Sequence, residues 1–227
     1  MKSNQYYKNE ALSALRGNWA NALVASIILV ILVALALFFS SNDAINSYYQ
    51  RIVINPFIGY SLSFVSLFVL LPLAVGYSNS MRVLLETGDN RLTNNSFSLG
   101  FGNWLHVVWG MVLSTIYIFL WTLLLIIPGI IKSYSYALTP YILVEHPEMS
   151  ANEAIEESMR LMDGHKFDLF YLQLSFIGWA ILSILSLGLG FFWLIPYQMT
   201  AQAAFYRDIK NGAMPLQDNV IEPERVL

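Results

Sequence analysis

Residues 19–40 read WANALVASIILVILVALALFFS, which is 22 residues without a charged side chain. A helix needs about 20 apolar residues to cross the hydrocarbon core of a bilayer. The whole chain has the same character, because 56% of its 227 residues are hydrophobic, 12% are charged and the mean hydropathy is +0.54. A soluble domain carries about twice that charged share. The sequence therefore predicts an integral membrane protein.

Further apolar stretches extend this interpretation to six membrane helices. The predicted spans are residues 19–40, 57–81, 104–127, 129–144, 167–187 and 189–206. The fourth is the weakest, because it is short and contains both Lys132 and Pro140. It is either a short helix that returns from the outer surface, or a re-entrant segment or soluble extension of the third helix. The first stretch is longer than the apolar region of a signal peptide, so we expect it to be retained.

The distribution of basic residues favours six spans with both termini in the cytoplasm. On that topology only Arg51 and Lys132 fall in outer loops. The cytoplasmic segments hold Lys2, Lys8, Arg16, Arg82, Arg91, Arg160, Lys166, Arg207, Lys210 and Arg225. Cytoplasmic loops of membrane proteins carry such an excess of Lys and Arg. We therefore expect one membrane domain over 1–227, with a lead-in at 1–18, a six-span bundle at 19–206 and a polar cytoplasmic tail at 207–227.

Short motifs recur three times along the chain. A Gly-polar-aromatic junction precedes each odd-numbered span, and an aliphatic pair followed by proline marks each return. The motifs are GNW at 17–19, GNW at 102–104 and GHKF at 164–167, then LLP at 70–72, IIP at 126–128 and LIP at 194–196. They indicate three hairpins as parallel repeats, related about an axis along the membrane normal. The alternative is that interfacial aromatic residues and glycines recur in any membrane protein.

An amphipathic helix is predicted before the fifth span. Ser150 and Glu153 have the spacing of a capping box, in which each side chain bonds the other residue's backbone N–H. One face of the following segment is mostly apolar, with Ala154, Ile155, Ser158, Met159 and Met162. The N-terminal segment resembles a weaker version of this element. The predicted fold is thus an all-α membrane protein of six transmembrane helices in three hairpins, with amphipathic cytoplasmic lead-in helices.

The sequence offers few groups for chemistry. His106, His146 and His165 are not at metal-ligand spacing, and cysteine is absent. The acidic residues between Glu145 and Glu157 follow helical spacing, which is typical of a solvated face. The net charge of −3 gives no reason to expect a nucleic acid partner. We expect no catalytic residue, no metal and no cofactor.

Neutral amides inside the predicted bundle are the candidate binding residues. Gln173, Gln198 and Gln202 lie within the last two predicted spans, and Lys132 lies near the start of the fourth. Amides in hydrocarbon seek one another, so we predict a contact between Gln173 and Gln202. The four residues either hold helices together, with Lys132 as an anchor, or line a polar cavity. Glycines at four-residue spacing from serines, such as Gly110 and Gly190, predict close helix contacts.

The second half of the chain carries a string of recognisable motifs. They are IPGIIK at 127–132, YIL at 141–143, ES at 157–158, LMDGHK at 161–166, LSFIGW at 174–179, GLG at 188–190, PY at 196–197 and FY at 205–206. Together they resemble a bacterial membrane family known as domain of unknown function nine-seven-five, and distantly the membrane domain of bacterial glycerophosphodiester phosphodiesterases. The likeness covers residues 120–207, and more loosely 11–19. It implies a six-helix protein of the bacterial inner membrane and carries no site residues.

Two functions fit these observations, and an intramembrane enzyme fits them least. The first is a non-catalytic membrane module that scaffolds or regulates a membrane or cytoplasmic protein partner through its amphipathic segments. The second is a small transporter or lipid-handling protein with a polar cavity between helical repeats. In both, the lipid bilayer is the principal surrounding partner.

Overall fold

The computed structural model describes residues 2–41 and 56–213, and the side chains of residues 2–35 and 68–212. The predicted outer loop with Arg51 and the end of the tail, 214–227, lie outside the described residues. Within them all regular structure is helical. The helices are α1 (Asn4–Leu15), α2 (Trp19–Ser41), α3 (Pro56–Thr87), α4 (Leu92–Phe101), α5 (Trp104–Leu124), α6 (Ile126–Ser135), α7 (Thr139–Glu145), α8 (Ala151–Leu161), α9 (Lys166–Leu174), α10 (Ile177–Leu185) and α11 (Phe191–Ala213).

Three helical segments of the described chain are long and apolar enough to cross a membrane. They are Phe68–Thr87 in α3, Trp104–Leu124, and Lys166–Leu185, which joins α9 and α10. A fourth arises if α1 and the start of α2, which meet at 99°, are taken together. The all-helical prediction is confirmed, and the apolar helices are compatible with a membrane protein.

The fourth predicted span is two helices. The chain breaks at Leu125, whose backbone is extended, and again at 136–138 before α7. Pro128 and Pro140 lie in the first turns of α6 and α7, where a missing N–H costs nothing because no helical carbonyl would accept from it. Each proline thus begins a helix. The boundary between the third and fourth predicted spans, expected at Pro128, lies three residues earlier, at Leu125, because α6 starts before the proline.

The last two predicted spans differ from the sequence expectation in extent. The fifth is interrupted at Ser175 and Phe176, between α9 and α10. The sixth continues to Ala213, so the first seven residues of the predicted tail, 207–213, are helical. Ile209 in this extension is buried, which explains why the helix does not stop at Tyr206.

Consecutive long helices pack against each other in opposite directions. At the α5–α6 turn, a Cβ atom on Gly129 would come within 2.2 Å of the Thr122 hydroxyl. Further back, a Cβ atom on Gly110 would come within 2.5 Å of Leu143 in α7. Gly129 is paired with Thr122 and Leu143 with Gly110, so residues further along α6–α7 contact residues further back in α5. The α6–α7 segment therefore runs antiparallel to α5. This confirms Gly110 as a close-contact position.

The same arrangement holds for α10 and α11. A Cβ atom on Gly190 would come within 2.7 Å of the Ser183 Cα, and the rings of Phe176 and Tyr197 meet at 5.0 Å. Gly190 is therefore also confirmed as a close-contact glycine. In the first pair, the Asn21 amide donates to the Asn90 carbonyl at 3.1 Å, just past the end of α3, and the buried hydroxyls of Ser26 and Tyr77 are 2.7 Å apart, so α2 and α3 also run in opposite directions.

A short helix lies against each of these pairs. Helix α4 packs on α3 so closely that a Cβ atom on Gly76 would come within 1.9 Å of the Ser96 carbonyl oxygen. Helix α8 packs between α5 and the α6–α7 segment: the Tyr117 hydroxyl donates to the Asn152 side chain at 3.1 Å, and the Ser158 hydroxyl donates to the Ser135 carbonyl at 2.9 Å. Helix α1, the first in the chain, packs on α11, the last. A short helix thus lies beside each pair of longer helices.

The capping box before α8 is confirmed. The Ser150 N–H donates to the Glu153 carboxylate at 2.6 Å, and the Glu153 N–H donates to the Ser150 hydroxyl at 3.3 Å. Ala154, Ile155, Ser158 and Met162 of the predicted apolar face are buried, and Met159 is half-buried. The short helix is therefore held by packing against the larger helices.

Candidate functional site

A cluster of charged side chains joins the ends of three returning helices. Glu145, the last residue of α7, accepts hydrogen bonds from Tyr206 and Lys210 of α11. Its carboxylate also lies 3.5 Å from the guanidinium of Arg82 in α3. The Glu145 side chain is 18% exposed, so these charges meet largely out of water. We call Arg82, Glu145, Tyr206 and Lys210 the hub.

Arg82 is held in the hub from several directions. Only 7% of the residue is exposed, and its Nη1 donates to Glu86 at 2.8 Å. Its Nε donates to the Asn79 side-chain oxygen at 3.2 Å. The Asn79 amide donates in turn to the Pro140 carbonyl at 2.9 Å. Hydrogen bonds to a charged group are stronger than neutral ones, so this network fixes α3 to the start of α7.

Two tyrosines stack beneath the charges. The rings of Tyr141 and Tyr206 are 4.9 Å apart and 13° from parallel. The Tyr206 hydroxyl donates to Glu145, whereas the fully buried Tyr141 hydroxyl has no hydrogen-bond partner among the described residues. Offset aromatic stacking adds about 0.5–1.5 kcal/mol to area burial. The stack therefore reinforces the ion pairs that join α7 to α11.

The ion pairs change the acidity of Glu145. Burial alone would raise its pKa, but the hydrogen bonds from Lys210 and Tyr206 and the charge of Arg82 outweigh burial and lower it. The carboxylate is therefore charged at neutral pH. A group of this kind holds elements together and is poorly suited to accept a proton in catalysis.

Helix α1 ties the N-terminus to the same end of the molecule. The Tyr7 hydroxyl donates to Asp208 at 2.7 Å, and the Arg207 guanidinium donates to Glu10. Burial would raise the pKa of Asp208, but the bonds from Tyr7 and Lys2 lower it overall. These contacts link residues about two hundred positions apart in the chain.

Helix α1 also reaches the interruption between α9 and α10. The Lys8 ammonium donates to the Ser175 carbonyl at 2.7 Å and lies 4.5 Å from the centre of the Phe176 ring. Burial lowers the pKa of Lys8. The interruption frees backbone carbonyls from helical bonds, and the lysine satisfies one of them.

The predicted binding residues are not gathered into one site. The Gln173 side chain accepts from the Tyr134 hydroxyl at 3.0 Å, and within the described residues no hydrogen bond joins it to Gln202. Gln198 and Gln202 are half-buried on α11 and have no side-chain hydrogen bond within the described part of the chain. Since Phe176 packs on Tyr197, Gln198 lies level with the α9–α10 interruption.

Lys132 lies apart from these glutamines. Its ammonium is 3.6 Å from the Met159 sulfur of α8, 5.1 Å from the centre of the Trp121 ring and 5.9 Å from that of Tyr136. The sequence places Lys132 in an outer loop and α8 on the cytoplasmic side. The contact between Lys132 and Met159 shows that both assignments cannot hold at once.

The sequence analysis does not predict the hub. The predicted solvated face is wrong for Glu145, whose side chain is 18% exposed, whereas Glu153 and Glu156 are exposed as expected. A usable signal was present, because Tyr141 precedes Glu145 by four residues and Tyr206 precedes Lys210 by four. Within the described residues, no group of three His, Asp or Glu side chains could hold a metal ion.

The architecture and the hub define an all-helical protein with three or four helices apolar enough to cross a membrane. Residues 103–213, from the residue before α5 to the end of α11, match the model of a family described as Protein of unknown function (DUF975). The predicted resemblance to this family is thereby confirmed, whereas the distant resemblance to the membrane domain of bacterial glycerophosphodiester phosphodiesterases is not shown. No curated protein and no solved structure matches the chain.

Proposed function

We propose that this protein is a non-catalytic scaffold or regulatory module of the bacterial inner membrane. The observation that carries the proposal is the hub, together with the bonds of α1 to α11. Charged side chains at one end of the molecule are used to hold helices to one another. A fixed layer of helix ends outside the bilayer is what a docking platform for another protein requires.

The proposed topology is three hairpins with both termini in the cytoplasm. The opposite directions of α2 and α3, of α5 and α6–α7, and of α9–α10 and α11 support it. Arg82, Arg207 and Lys210 gather at the end where α1 lies, as the positive-inside rule expects for the cytoplasmic side. The sequence predicts six complete crossings. The middle hairpin, α5 with α6–α7, conflicts with that number because Lys132 contacts α8.

The alternative is a small transporter or lipid-handling protein. Its support is the interruption at Ser175, because broken membrane helices line substrate sites in many transporters. Gln198 lies level with this interruption, and Gln173 and Gln202 are half-buried on the same pair of helices. In this account the Lys8 ammonium binds the Ser175 carbonyl oxygen, which would otherwise face a ligand.

Mass spectrometry of material extracted in native lipid discs tests the two accounts. Three forms are compared: wild type, Glu145→Gln, which weakens the hub, and Gln202→Leu, which removes a candidate cavity amide. The scaffold account predicts a stoichiometric protein partner that Gln202→Leu retains and Glu145→Gln reduces severalfold. A specific lipid or metabolite that Gln202→Leu loses, without a protein partner, would overturn it in favour of transport.

A further inference from the structure

The turn between α5 and α6 is an apolar tip. Residues 118–131 contain no charged side chain, and the hydroxyl of their one polar side chain, Thr122, donates to the Ile118 carbonyl at 2.7 Å. The exposed side chains around this turn are Ile116, Phe119, Leu120, Trp121, Leu123, Leu124, Leu125, Ile126, Ile127, Ile130 and Ile131. So large a continuous apolar surface requires hydrocarbon around it.

The base of this tip is marked by its contacts with α8. The Tyr117 hydroxyl donates to the Asn152 side chain at 3.1 Å, and Lys132 lies against Met159. On its other face α8 exposes Glu153, Glu156 and Arg160. Charged groups facing hydrocarbon are costly, so the water boundary must lie at α8.

The tip is too short to cross a bilayer from that boundary. From Tyr117 to Leu124 the helix advances by seven residue steps, or about 10 Å. The hydrocarbon core is about 30 Å thick, and the reach of the Tyr117 and Lys132 side chains adds too little to make up the difference. By contrast, the α10–α11 turn follows Lys166–Leu185, a segment that is long and apolar enough to cross a membrane.

We propose that the α5–α6 tip is a re-entrant wedge inserted into one leaflet, on the side where α8 lies. The wedge contacts the lipid of that leaflet. The acyl chains surround the apolar side chains, and Lys132, with Trp121, Tyr136 and Tyr117, lies at the headgroup level. These residue types populate the membrane interface, and lysine there faces anionic phosphates. The inference rests on the proposed membrane placement, and it resolves the conflict between Lys132 and α8.

Single-cysteine labelling tests the wedge, because the chain has no native cysteine. Leu125→Cys probes the tip, Leu189→Cys probes the α10–α11 turn, and Glu156→Cys probes the exposed face of α8. In sealed vesicles of each orientation, an impermeant maleimide should label Leu189→Cys only from the outer side and Glu156→Cys only from the cytoplasmic side. Leu125→Cys should react from neither side and should react fully after denaturation.

Depth measurement completes the test. A nitroxide at position 125 should collide with oxygen more often than with a water-soluble nickel complex. Labelling of Leu125→Cys from the outer side would overturn the wedge and restore six crossings, and labelling from the cytoplasmic side would remove the tip from lipid. Failure of both the Leu189→Cys and Glu156→Cys patterns would instead overturn the membrane placement itself.

Discussion

Glu145 shows how one side chain organises one end of the molecule. Its carboxylate receives bonds from two residues of α11 and faces Arg82 of α3, although these partners lie more than 60 positions away along the chain. Removing one member of a paired set leaves the others without compensation, which costs more than the pair contributes. The hub is therefore sensitive to single substitutions.

Glu145→Ala should lower the free energy of unfolding by about 1–3 kcal/mol, because Arg82 and Lys210 lose their shared acceptor. Thermal unfolding in detergent measures the change. The control is Glu156→Ala on the exposed face of α8, which should stay within about 0.5 kcal/mol of wild type. Equal effects of the two substitutions would contradict a structural role for the hub.

The contribution of Glu145 should also depend on pH. Its pKa in the folded protein is lowered from the ordinary value of 4.5. Its stabilisation is therefore complete above the unfolded-state pKa and is lost as the pH falls through the lower folded-state value. Unfolding of wild type and Glu145→Gln should differ at pH 7 and converge below that value. A difference that is unchanged at acid pH would refute this.

At the scale of elements, the contact of α3 with α4 depends on two glycines. A Cβ atom on Gly76 would come within 1.9 Å of the Ser96 carbonyl oxygen, and one on Gly100 within 2.1 Å of that of Pro72. Backbone atoms cannot move aside as a flexible side chain can. Glycine here permits an approach that no other residue allows.

Gly76→Ala should therefore destabilise the protein by about 1–3 kcal/mol through overpacking, as judged by unfolding in detergent. Gly178→Ala is the matched control, because it is helical and a Cβ atom there meets nothing within 4 Å. That change should be neutral or slightly stabilising. If Gly76→Ala left the stability unchanged, α3 and α4 would not touch as described.

The contact of α1 with the α9–α10 interruption makes a further prediction. Lys8→Met removes the donor to the Ser175 carbonyl, so amide exchange at residues 175–180 should rise severalfold while that of α5 stays constant. Hydrogen exchange followed by mass spectrometry measures this. Lys2→Met, which breaks a more exposed ion pair, is the control and should leave α10 unchanged. No change for Lys8→Met would show that α1 does not hold the interruption.

The sequence predicted what depends on local pattern. The capping box at Ser150 and the close contacts at Gly110 and Gly190 follow from residues a few positions apart, and all three are confirmed. The partner of Gln173 and the role of Glu145 depend on which distant helix lies alongside. Local spacing carries no information on that choice, so Tyr134 and Lys210 could not be predicted.

At the scale of the whole molecule, a short helix lies beside each pair of longer helices. Helix α4 lies on α3, helix α8 lies between α5 and the α6–α7 segment, and helix α1 lies on α11. The bonds of Tyr7 to Asp208 and of Arg207 to Glu10 thus join helices that are far apart in the described chain.

In the proposed topology, α1 and the ends of the three returning helices lie together on the cytoplasmic side. Four single-cysteine variants at exposed positions test it directly: Leu12→Cys, Thr87→Cys, Glu148→Cys and Asn211→Cys. Labelling with an impermeant maleimide in oriented vesicles should modify all four from the cytoplasmic side and none from the other. If any of the four reacted only from the outer side, the hub could not join these helices at one surface and the account would be wrong.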